Sequence, residues 1–60
     1  MPTDNEVALE KIKLKARIEM MEGFVEYLLV DNPIVDQSPI LKPKASKILD
    51  LLTDFKNHIV

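Results

Sequence analysis

Few side chains in this sequence could do chemistry. His58 is its only histidine, and Asp54 stands four positions before it. On a helix those two share a face, so they could act as an acid–base pair or as two ligands of a metal. One imidazole and one carboxylate make an incomplete metal site. Positive charge on His58 would in any case suit a helix C-terminus. Glu19, Glu22 and Glu26 form an acidic stripe, expected opposite the main apolar seam of their helix. Paired carboxylates can move protons or hold hard cations, but on an exposed helix face they are usually solvated surface. No Glu-x-x-His spacing occurs, so a di-iron bundle site is not supported.

Lys11, Lys13, Lys15 and Arg17 place four cations within seven residues. A patch of that density could contact phosphates. Steps of two scatter the side chains around a helix, however, and no aromatic is interleaved to stack on bases. Glu6, Glu10 and Glu19 lie at helical distances from several of these cations. A single glycine, Gly23, rules out a glycine-rich phosphate loop, and the absence of cysteine removes disulfides and thiolate zinc sites. The expectation is a protein with no catalytic residues, no metal and no cofactor.

Two helices account for most of the chain. Thr3-Asp4-Asn5-Glu6 has the spacing of a capping box, and Asp31-Asn32-Pro33 ends the pattern, which predicts a helix over 4–30. A connector over 31–42 carries Pro33 and Pro39 together with Ile34, Val35, Ile40 and Leu41. It is expected to fold back over the end of the bundle and add to the core, with Ser38-Pro39 starting a short turn of helix. A second helix is expected over 43–59, with Pro43 at its first position. Ala45, Ile48, Leu49, Leu52, Phe55 and Ile59 recur there at spacings of three and four, giving one apolar stripe.

The first helix has two apolar seams. Val7, Lys11, Leu14, Ile18, Met21, Val25 and Leu28 alternate in steps of four and three, as inner heptad positions do. Leu9, Lys13, Ala16, Met20, Gly23, Tyr27 and Val30 repeat the same steps on another side, and Phe24 joins the two. One partner helix covers only one such stripe. Sixty residues are also close to the lower limit for independent folding, since burial in so small a domain barely offsets the entropy of ordering the chain. The expected fold is therefore all-α, a helical hairpin that assembles as a dimeric four-helix bundle. Its expected interface residues are Leu14, Ala16, Ile18, Met20, Met21, Gly23, Phe24, Val25, Tyr27 and Leu28. Ala16 and Gly23 would let two backbones approach closely.

Ser46-Lys47-Ile48-Leu49-Asp50, near the start of a second helix that follows Arg17-Ile18-Glu19-Met20 on a first, slightly resembles the sporulation aspartyl-phosphate phosphatases of bacilli. Those are small cytosolic helical hairpins with a Ser-Gln-Glu-Leu-Asp motif. Ser46, Leu49 and Asp50 match it, whereas Lys47 and Ile48 replace the Gln and Glu. The resemblance implies phosphatase activity, with Asp50 the residue to test.

Net charge is −2, from ten acids and eight bases, too balanced for a dedicated nucleic-acid binder. No apolar run approaches a membrane span, and no signal-peptide pattern opens the sequence, which suggests a cytoplasmic protein. The expected function is a small non-enzymatic, homo-oligomeric interaction module, such as a bacterial or phage regulator or inhibitor of a larger partner. Met20, Met21, Phe24 and Tyr27 are its expected contact residues. The alternatives are a nucleic-acid-binding transcriptional regulator using Lys11 to Arg17, and the aspartyl-phosphate phosphatase.

Overall fold

The Thr3 hydroxyl accepts a hydrogen bond from the Glu6 N–H at 3.2 Å, and helix α1 (Asp4–Val30) starts from that cap. The computed structural model describes residues 3–60 and is all-α in them. Asp4 and Glu6 lie in the first turn, where the helix dipole favours negative charge. Asn32 then caps the next element, its side-chain oxygen accepting from the N–H groups of Ile34 and Val35 at 3.0 and 3.4 Å. Pro33 follows at the first helical position of α2 (Pro33–Asp36). The connector thus spends its middle as a single helical turn.

The expected fold-back of the connector is met only in part. Its helix α2 packs between α1 and α3 (Leu41–Asn57), but none of its residues is buried. Val35 is half-buried, while Ile34 and Ile40 stay exposed. A one-turn helix has too few side chains to both satisfy its caps and close the end of the hairpin.

Helix α3 starts two residues earlier than the proline suggests and ends at Asn57, short of the expected Ile59. Ser38 is the reason for the early start. Its hydroxyl accepts from the N–H groups of Ile40 and Leu41 at 3.3 and 3.0 Å, and its carbonyl accepts from Lys42 N–H at 3.1 Å. Pro43 falls inside the first turn, where a proline is tolerated.

The helices differ in length by ten residues, 27 in α1 against 17 in α3. At about 1.5 Å per residue, α3 reaches along little more than half of α1. Every residue from Thr3 to Arg17 is exposed. Lys11, the polar member of the first seam, lies in this overhang, where nothing has to be buried. The core is correspondingly thin: Ile18, Val25 and Ala45 are the buried hydrophobics among the described residues, with Ile18 at 1% exposure. The molecule measures 47 × 17 × 14 Å, and its radius of gyration of 14.8 Å exceeds the roughly 10 Å of a globular chain this long.

Gly23 sits in mid-helix with nothing within 4 Å of where a Cβ would stand. Replacing it with alanine gains helix propensity at no steric expense in the single chain. Gly23→Ala should raise stability by about 1 kcal/mol, read from thermal unfolding followed by circular dichroism. A destabilised variant would mean that another backbone lies against this position.

Candidate functional site

The polar contact that ties the two long helices together centres on Glu22. Its Oε2 accepts from the Thr53 hydroxyl at 2.9 Å, and its Oε1 lies 2.8 Å from Lys56 Nζ. The ammonium stands off the line of a well-directed hydrogen bond, so Oε1 is buried with this ion pair as its partner. The Lys56 ammonium, with help from the Thr53 hydroxyl, holds the Glu22 carboxyl below its ordinary pKa of 4.5, against the opposing effect of burial. The same carboxylate raises the Lys56 ammonium above its ordinary 10.5.

Glu22 is therefore not opposite the first seam but on its edge, turned toward α3. Glu19 and Glu26 remain exposed. Sequence reasoning missed this contact because it reserved the inner face of α3 for apolar residues. Instead Thr53 and Lys56, one turn apart, point inward beside Ala45, Leu49, Leu52 and Ile59, all buried or half-buried. Ile48 and Phe55, assigned to that inner stripe, are 50% and 56% exposed.

Their exposure has a geometric cause. Turning about 100° per residue from the α3-facing line through Ile18 and Val25, Met21, Leu28 and Phe24 fall to one side of α1, and Glu22, Glu26 and Glu19 to the other. On α3, turning from Leu49, Leu52, Ile48 and Phe55 fall to one side, and Thr53, Asn57 and Asp50 to the other. The Glu22–Thr53 hydrogen bond fixes which sides adjoin. One broad face of the hairpin is thus mainly apolar across both helices, with Arg17 and Lys44 exposed on it, and the opposite face is polar. Phe24 and Tyr27 stand with ring centroids 6.5 Å apart at the outer margin of the apolar face, Phe24 being 61% exposed.

The expected interface residues divide accordingly. Ile18 and Val25 are buried inside the hairpin, and Leu28 is half-buried. Leu14, Met21 and Phe24 belong to the apolar face, while Ala16, Gly23 and Tyr27 lie on the side of α1 turned away from α3, with Met20 beside them. All seven are exposed.

The remaining candidates are dispersed. His58 Nδ1 lies 2.8 Å from the Asp54 carbonyl oxygen and 3.6 Å from its carboxylate, in a pair more than two-thirds exposed at the end of α3. Among the described residues there is no group of three metal-ligating side chains, and no cavity. Lys13 pairs with Glu10 at 3.4 Å, and Lys11, Lys15 and Arg17 diverge around the overhang. Ser46 and Asp50 occupy successive turns on the solvent side of α3. Compared with protein-family models, curated proteins and solved structures, the chain gives no significant match.

The Glu22 contact makes a signed pH prediction. A carboxyl with a lowered folded pKa stabilises the fold fully above its unfolded value near 4.5, and that contribution disappears as pH falls through the folded value. The raised Lys56 contributes below its unfolded 10.5 and loses its effect as pH rises through the folded value. In denaturation titrations, Glu22→Gln should lower stability at neutral pH and flatten the acid limb below about pH 4.5 relative to the parent chain.

Proposed function

We propose that this chain is a small non-enzymatic interaction module that works as a homo-oligomer, a dimer in its simplest form. The observation that carries the reading is the surface left uncovered by the hairpin. Its accessible area is 4932 Å², against about 4,000 Å² for a compact monomer of this mass. Large hydrophobic side chains supply much of that surface, from Val7 and Leu9 in the overhang to Ile48 and Phe55 on α3. Contiguous apolar surface on a small protein marks an interaction site. Three buried hydrophobic side chains among the described residues are also too few to offset the ordering of sixty residues, so association supplies the missing burial. No helix among the described residues is long and apolar enough to cross a membrane. A regulator or inhibitor acting on a larger protein in the cytoplasm is the role this reading suggests. The exposed carboxylates of the polar face would then be its remaining recognition surface.

Sedimentation equilibrium over a wide concentration range, with circular dichroism read on the same dilutions, tests the reading. The expected result is self-association, with helicity falling as the complex dilutes. A fully helical monomer at every concentration would overturn it.

A further inference from the structure

The homo-oligomer reading leaves open which surface mates, and the distribution of side chains around the hairpin decides it. Sequence periodicity points to a seam confined to α1, through Ala16, Met20, Gly23 and Tyr27. That arrangement would leave Ile48 and Phe55 on α3 in water. Resting on the homo-oligomer reading, we infer that the mating surface is the two-helix apolar face, built from Leu14, Met21 and Phe24 of α1 and Ile48, Leu52 and Phe55 of α3. Its occupant is the same face of a second copy.

Three observations select a second copy. The first is area. The hairpin exposes about 900 Å² more than a compact monomer of its mass. A standard interface buries about 800 Å² on each partner, so one self-contact removes the excess. The second is segregation. Glu22 and Thr53 lie on the opposite face, and the exposed cations of the apolar side, Arg17 and Lys44, have stems long enough to carry their charges to its edge, so two copies meeting there need bury no unpaired charge. The third is electrostatic. The net charge of −2 sets little repulsion between copies.

The contact is isologous: each copy offers the same six side chains, and its product is a four-helix bundle with both α3 helices in the interface. The α1-only seam differs from it in one respect that can be measured. It makes no contact between copies through α3.

An isotope-filtered NOE experiment on a mixture of labelled and unlabelled chains, unmodified in sequence, reads this directly. Cross-peaks between copies that involve Ile48 or Phe55 are expected. A dimer whose cross-peaks are confined to Leu9, Met20 and Tyr27 would overturn the inference and leave the homo-oligomer reading standing. A monomer without such cross-peaks would overturn both. As a second measurement, Ile48→Glu should raise the dimer dissociation constant by at least about tenfold, because it places a charge in a desolvated contact. Asn57→Glu, on the polar side of α3, should change it by less than about threefold. Equal effects of the two substitutions would count against the assigned face.

Discussion

A carboxylate held between a hydroxyl and an ammonium fixes how the two long helices of this protein meet. Apolar side chains attract without direction, and a hairpin whose seam offers mainly Ile18, Val25, Leu49 and Leu52 could slide by a turn with modest loss. Glu22 cannot slide. It would leave Thr53 and Lys56 and keep its own buried oxygen unpaired. The contact also defines rotation about each helix axis, because it pins the polar flank of α1 to the polar flank of α3. The two-faced character of the hairpin, one side wet and the other oily, follows from that single orientation. A polar tie of this kind adds little to stability, yet it selects one packing from several of similar energy.

The ends of α1 were legible in the sequence because their causes are local, whereas both ends of α3 lie two residues before the expected ones. Thr3, Asn32 and Ser38 each satisfy orphan backbone donors within three residues of themselves, and Pro33 and Asp31 announce the break after α1. The wide apolar surface of α1 was legible too, since helical periodicity displays it without any knowledge of a partner. The facing of α3 was not. Its apolar residues span a broad arc, and periodicity cannot say which edge of that arc turns inward. Thr53 and Lys56 turn inward because a carboxylate waits on α1, a fact that depends on register between residues more than thirty positions apart. Ile48 and Phe55 are displaced outward as the consequence.

The proline at position 43 teaches a similar lesson. Proline is well suited to the first helical position but is equally harmless throughout the first turn, where no N–H is required. Ser38, with a side chain able to accept from two backbone donors, fixes the true start. A residue that makes a positive contact outranks one that merely avoids harm.

The length mismatch between α1 and α3 divides one unbroken helix into two materials. Beyond about Arg17, opening a backbone hydrogen bond requires prising α3 away from Ile18 and Val25. Before it, the same opening requires only unwinding from the Thr3 cap, because no side chain there is covered. In the single chain, amide protons on the overhang should exchange with solvent as those of a capped peptide do, while those beside Val25 report the whole hairpin. α1 is thus a lever with a clamped half and a free arm, and the fulcrum lies near Ile18.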